Sequence, residues 1–283
     1  MKTFFTHFLI WIFFLSPAVA APPQRIISLA PNVTEILYDL GLGAHVIAVS
    51  TYCNYPSEVK TKPKIGGMSN PSLEAIVAMK PDMVVLTDDG NPRMIERRLS
   101  KLNIPTYVFR ARRLSEIPGE IRKLGKAFNV QDQAERSARR IEASCRCYAA
   151  DTKYSRPYPR RKAIFVVQPE PLIVAGPDTA IDDALNLLGL SNIAADTRTR
   201  YPHFSLEELI RRSPDVIFIV KTHDTKNART GHFLKNFKQL KAVREGKVLY
   251  IGDPLLRVGP RITEGLDEMA GYLGIKKCGW SNR

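Results

Sequence analysis

The chain has 283 residues, 44% of them hydrophobic and 25% charged, with a formal net charge of +14 at neutral pH. Apolar content of that order excludes an intrinsically disordered chain, and the length allows one large domain or two of ordinary size. The excess of Lys and Arg favours anionic partners or surfaces, but it is spread along the chain instead of forming a basic block interleaved with aromatics, so a nucleic-acid binder is not expected.

The first segment, Met1 to Ala20, combines Lys2, an apolar stretch from Phe8 to Leu15 and the small-residue ending Ala18-Val19-Ala20. That is the layout of a signal peptide, with an apolar stretch shorter than the roughly 20 residues a spanning helix needs. The mature chain is expected to start near Ala21 and, because no cysteine follows to accept a lipid, to be released into a periplasm. Arg25 to Leu29 then reads as a strand, followed by Ala30-Pro31-Asn32, a helix through Glu35 to Leu40, a Gly41-Leu42-Gly43 stop and a second strand, Val46 to Val49. Ser72 caps a short helix that the Pro81-Asp82 pair breaks ahead of the β-branched run Met83 to Leu86. After the Tyr107-Val108-Phe109 strand, the Arg110 to Arg113 run is either a solvated connection or one rim of a basic cleft. From Gln131 to about Ala150 the chain is rich in Ala, Glu and Arg without Gly or Pro, which predicts one uninterrupted helix ending in the polar stretch Tyr154 to Arg160.

The second half echoes the first. Leu172 to Ala175 leads into Gly176-Pro177-Asp178, a helix from Asp182 to Leu188 and Gly189-Leu190, with Asn192 to Ala195 as a weaker strand. Ser205-Leu206-Glu207 then repeats Ser72-Leu73-Glu74, and Pro214-Asp215 repeats Pro81-Asp82. The expected architecture is α/β, with two Rossmann-like lobes of parallel-type sheets over residues 21–128 and 153–283, joined by one long helix over 129–152. The ligand cleft falls between the lobes, outside the carboxyl ends of the strands. A helix resists hinge bending, so closure on ligand should be small.

Four cysteines, Cys53, Cys145, Cys147 and Cys278, allow three fully paired connectivities. Cys145 and Cys147 lie about 200° apart on a helix, which is not metal-like spacing. A disulfide to Cys278 is one arrangement, and Cys53 with one other as buried free thiols is the competing one.

Four stretches, Ile27 to Glu35, Ser50 to Pro56, Leu73 to Asp82 and Asp253 to Ile262, together with the paired Ser-Leu-Glu helices, resemble the helix-linked periplasmic receptors for vitamin B12, ferric siderophores and haem. The likeness covers essentially the whole mature chain and is strongest to the vitamin B12 branch. It implies a monomeric binding component of an ABC importer that takes up a cobalamin-type corrinoid without any cofactor of its own and delivers it to a permease dimer in the inner membrane. By position it implies that Glu74 and Glu207 dock against permease arginines, as befits one carboxylate per lobe facing a symmetric dimer. A Glu favoured by the dipole at a helix start is the plainer account of each.

The same resemblance places Tyr52, Tyr201, Asp253 and Arg257 in the cleft, where Tyr offers a flat apolar face with a polar tip and Asp and Arg hydrogen-bond peripheral amides. Met68, Thr87 and Ile173 stand where the vitamin B12 receptors carry aromatic residues, so this cleft should be less aromatic. Ferric siderophores, often anionic, are the alternative cargo, with Arg110, Arg112, Arg113, Arg198, Arg200, Arg257 and Arg261 as a basic rim. Haem fits less well, because no tyrosine ligand stands in Gly66 to Pro71. Free metal is disfavoured by the scatter of His45, His203, His223 and His232. A secreted α/β hydrolase is the competing class, although the chain has no Gly-x-Ser-x-Gly elbow, no phosphate-cradling glycine loop and no His-Glu-x-x-His helix.

Overall fold

β-Branched and aromatic runs supply buried strands here, and Pro, Asp and Gly punctuate several of the connections to the next helix, as in Asp88 to Pro92 after Met83–Thr87. The computed structural model of the protein describes residues 23–155, 159–221 and 237–278, with the side chains of 152–155 excepted. The expected leader and cleavage site, part of the Tyr154 to Arg160 stretch, His223 and His232 lie outside the described residues. In chain order the first part comprises β1 (Ile26–Ser28), α1 (Pro31–Asp39), β2 (Val46–Val49), α2 (Leu73–Ala78), β3 (Met83–Thr87), α3 (Arg93–Lys101), β4 (Thr106–Phe109) and α4 (Ile117–Ala127). The strands form one sheet in the order β2-β1-β3-β4, every neighbouring pair parallel.

The long helix α5 runs Gln131–Ser155, 25 residues, slightly beyond the 129–152 expected. Its buried positions, Ala134, Ser137, Ala138, Ile141, Ser144 and Tyr148, recur at three- and four-residue spacing and lay one stripe against the rest of the protein. It packs first on α4, where a Cβ added to Gly125 would stand only 2.2 Å from the Ala134 Cβ. A side chain at Gly125 would therefore push the two helices apart.

The remainder comprises β5 (Lys162–Gln168), β6 (Ile173–Val174), α6 (Ala180–Leu187), β7 (Ser191–Asn192), α7 (Leu206–Arg212), β8 (Val216–Val220), α8 (Lys241–Arg244), β9 (Val248–Ile251) and α9 (Ile262–Tyr272). The second sheet has the order β6-β5-β8-β9, with β7 also pairing β5. The β5–β7, β5–β8 and β8–β9 pairs are parallel and reproduce the first lobe. The pair β5–β6 is antiparallel. This corrects the sequence reading, in which Leu172 to Ala175 was the counterpart of Arg25 to Leu29. The true counterpart of β1 is β5, because the few residues between β5 and β6 permit only a hairpin, whereas a parallel return needs a dozen or more. The caps follow the repeat: Ser72 Oγ accepts from the Ala75 N–H at 3.2 Å and Ser205 Oγ from the Glu208 N–H at 3.0 Å.

Cys147 and Cys278 form a disulfide across 131 residues, tying α5 to the end of the second lobe, and Cys53 and Cys145 are free thiols, Cys53 buried. Helix α5 also packs on α6 and α9 of the second lobe. Asp39 of α1 accepts from Ser137 at 2.5 Å and Arg140 at 2.7 Å, and Arg113 Nη2 reaches Asp183 of α6 at 2.6 Å. A linker held from both sides leaves little room for rotation, so ligand binding is expected to move the lobes by only a few degrees. Small-angle scattering with and without ligand checks this; a marked fall in radius of gyration would reveal a flexible hinge.

Candidate functional site

The segments that follow the carboxyl ends of the strands converge on one cavity of about 630 Å³ between the lobes. From the first lobe come Pro31 and Asn32 after β1, Met68 and Ser69 on the way to α2, and Asp89 and Gly90 after β3. From the second come Val167 and Ile173 around the β5–β6 hairpin, Tyr201 ahead of α7, and Leu256, Arg257 and Val258 after β9. The first turn of α1, through Pro31 and Asn32, opens directly onto this space, and the positive end of a helix favours ligand oxygens there.

Met68, Tyr201 and Arg257 thus line the cleft. Tyr52 is 66% exposed and stands outside the cavity lining, close to Gly67. Thr87 is 2% exposed and does not reach the cleft. As the last residue of β3 it lies under the floor, where its hydroxyl accepts from Asn32 at 3.4 Å and its N–H donates to Asn91 Oδ1 at 2.9 Å. Asn91, which the sequence reading missed, also donates to the Met68 carbonyl at 2.8 Å and so fixes that segment of the wall. Asp253 stands behind Arg257 instead of in the cleft, accepting from its Nη2 at 2.7 Å and its Nε at 3.2 Å.

A second missed residue is Asp89. Its carboxylate accepts from Arg200 Nη1 at 2.9 Å and from the Tyr201 hydroxyl at 3.4 Å, joining the first lobe to the second beside the cavity. Burial, followed by the Asp89 charge, pushes the Tyr201 phenol above its ordinary value, so it remains a donor. Removing the charge with Asp89→Asn is expected to raise the association rate about two- to fivefold, the equivalent of up to about 1 kcal/mol for a half-exposed ion pair, as read by stopped-flow mixing. An unchanged rate would show that entry does not pass this pair.

The Arg110 to Arg113 run is not a free rim. Arg112 pairs with Asp88, Arg113 with Asp178 and Asp183, and only Arg110, 58% exposed and 3.9 Å from Glu96, is loosely held. Glu74 and Glu207 are exposed on the first turns of α2 and α7, and among the described residues neither carboxylate forms an ion pair. One turn further on, Val77 (40% exposed) and Ile210 (37%) present a matching apolar side chain beside each. The two lobes therefore carry equivalent acidic-apolar pairs.

A cleft of mixed apolar and polar lining outside the carboxyl ends of two helix-linked sheets, one parallel and one mostly so, defines a two-lobed small-molecule binding protein. Residues 26–255 match the periplasmic binding protein family, and the chain belongs to it. It is 33% identical over 275 residues to the vitamin B12-binding protein of Pectobacterium atrosepticum, covering 96% of each chain. The crystal structure of the periplasmic vitamin B12 binding protein of Vibrio cholerae superimposes with a TM-score of 0.77 at 28% identity, covering 89% of this chain and 97% of that one. A periplasmic heme binding protein from Pseudomonas aeruginosa gives 0.80 at 25% identity, covering 91% and 95%. The protein is a binding protein and not an enzyme, which removes the hydrolase reading.

Proposed function

We propose that this protein captures a cobalamin-type corrinoid in the periplasm, after loss of residues 1–20, and delivers it to the permease dimer of an ABC importer. The observation that carries the reading is the inter-lobe cavity lined by Met68, Tyr201 and Arg257, in a chain similar to a vitamin B12-binding protein over 96% of its length. Residues 21–128 and 153–283 act as the two lobes and 129–152 as their link. Tyr201 supplies an apolar face, Arg257 donates to peripheral amide oxygens with Asp253 behind it, Tyr52 folds over the rim, and Glu74 and Glu207 dock on the permease. Thr87 has only an indirect part, through Asn32.

Calorimetry with cyanocobalamin and cobinamide tests the reading. One-to-one binding is expected, with a thermal stabilisation equivalent to about 2.7 kcal/mol at 100 times the dissociation constant. No heat and no shift at high micromolar ligand would sink the corrinoid. A ferric siderophore is the second reading, favoured by Arg200 and Arg257 beside the cleft and by the lack of flat aromatic platforms at Met68 and Ile173. Binding of an anionic ferric complex in the same titration would select it.

A further inference from the structure

We propose that Glu35 is the positioning residue of the cleft: from the first lobe it holds the Arg257 and Arg261 guanidinium groups of the second, and its charge sets how firmly Arg257 is presented to cargo. This inference rests on the reading of the cleft as the cargo site. Glu35 sits on α1, one turn past the residues that open onto the cavity, and its side chain is only 2% exposed. Its Oε1 lies 3.3 Å from Arg261 Nη1 and 3.8 Å from Arg257 Nε, while Oε2 is buried without a partner among the described residues. Arg257 faces the cleft on one side. Arg261 faces a separate cavity of about 670 Å³ on the other, where its guanidinium lies 4.0 Å from the centre of the Tyr55 ring. Glu35 is thus a buried first-lobe carboxylate shared by two arginines more than two hundred residues away in sequence, which Asp253 of their own lobe also pairs with, at 2.7 Å to Arg257 and 3.9 Å to Arg261.

The cost of this placement argues for a use. Burial pushes the Glu35 carboxyl up to about 7 against the opposing pull of Arg261 and Arg257. An acid whose folded value exceeds its unfolded one contributes stability below the unfolded value, and that contribution is lost as pH rises through about 7. A glutamine would escape the penalty, so local stability does not explain the acid. Holding the arginines does: the ionised carboxylate accepts a charge-assisted hydrogen bond from Arg261, firmer than a neutral one, and draws on Arg257 as an ion pair at 3.8 Å.

The remaining charges around Glu35 are already engaged. Asp253 is held by Arg257, Glu264 by Arg261, Asp39 by Arg140 and Asp267 by Tyr148. Tyr38 is on the same helix, and Glu58 and Lys277 line the second cavity together with Glu35. Ionised Glu35 is therefore the group whose change of charge Arg257 feels from the first lobe.

The test is calorimetry of cyanocobalamin binding between pH 5.5 and 8.5 with wild type, Glu35→Gln and Glu35→Asp. Wild type is expected to bind about tenfold more tightly at the upper pH, Glu35→Gln to stay flat at the weak value, and Glu35→Asp to recover part of the response. Glu35→Gln should melt no lower than wild type at pH 8.5, which separates lost positioning from lost folding. A Glu35→Gln protein that binds as tightly as wild type at pH 8.5, or keeps the wild-type profile, overturns the proposal. If wild type binds no corrinoid at any pH, the cargo reading fails, and ligand-free wild type decides the positioning by itself. Its Arg257 and Arg261 Nε–H resonances should titrate with a midpoint near 7, and resonances that do not move between pH 5.5 and 8.5 overturn the proposal without any variant.

Discussion

Replacing Glu74 and Glu207 together by alanine is expected to abolish uptake and complex formation with the permease while leaving the ligand dissociation constant within about threefold. The two glutamates occupy equivalent positions on α2 and α7, each exposed, each free of ion pairs among the described residues and each one turn from an exposed aliphatic side chain. A pseudo-two-fold relation between the lobes presents them as a matched pair to a symmetric dimer. Truncating one member of a desolvated charged pair costs about 2–5 kcal/mol, because the arginine opposite is left unpaired, and two such losses exceed what a delivery complex retains. Neither residue lines the cleft, so capture should persist. Uptake assays paired with calorimetry read both quantities. Normal uptake by the double variant would reduce both residues to helix-start glutamates stabilised by the dipole, and an equal loss of ligand affinity would move them into the site.

The parts of the structure legible in the sequence are those carried by short-range signals. The Ser-Leu-Glu and Pro-Asp repeats work because a serine cap and a proline break act within a turn of themselves, and both caps form as read. Helix α5 was legible because 25 residues without glycine or proline leave little competing structure. The β5–β6 hairpin was misread because apolar runs alone do not carry strand direction. The free Cys53 and Cys145 and the Cys147–Cys278 bond lay among the open alternatives, since pairing depends on distances no spacing states.

The cleft was accessible mainly through resemblance, and that route placed side chains only approximately. Thr87 was assigned to the cleft by position, but the last residue of β3 points under the floor. Asp89, Asn91 and Glu35 gave no local signal at all. A carboxylate in a helix normally reads as solvated, and Glu35 departs from that only because Arg257 and Arg261 arrive from the far end of the chain.

Tyr148 shows how strongly the linking helix is built into the second lobe, and Tyr148→Ala is expected to be among the most destabilising single substitutions in the protein. The side chain is fully buried on the inner stripe of α5. Its hydroxyl bonds to Asp267 of α9 and accepts from the Cys278 N–H at 3.2 Å, next to the disulfide partner of Cys147. Burial raises the phenol above its ordinary value, so it stays protonated and keeps donating to Asp267 throughout the physiological range. Truncation removes a large apolar ring, leaves a cavity and strands the Asp267 carboxylate, for which about 3–5 kcal/mol is the expected loss. For a protein of this size that corresponds to a fall in melting temperature of roughly 5–10 °C. Tyr148→Phe keeps the ring and loses only the polar contacts, so it should cost about 1–3 kcal/mol. Thermal melts of both variants under oxidising conditions, with the Cys147–Cys278 bond intact, separate the two contributions. A Tyr148→Ala protein that melts within a degree or two of wild type would mean that α5 does not lean on the second lobe, and the small lobe closure expected above would lose its main physical support.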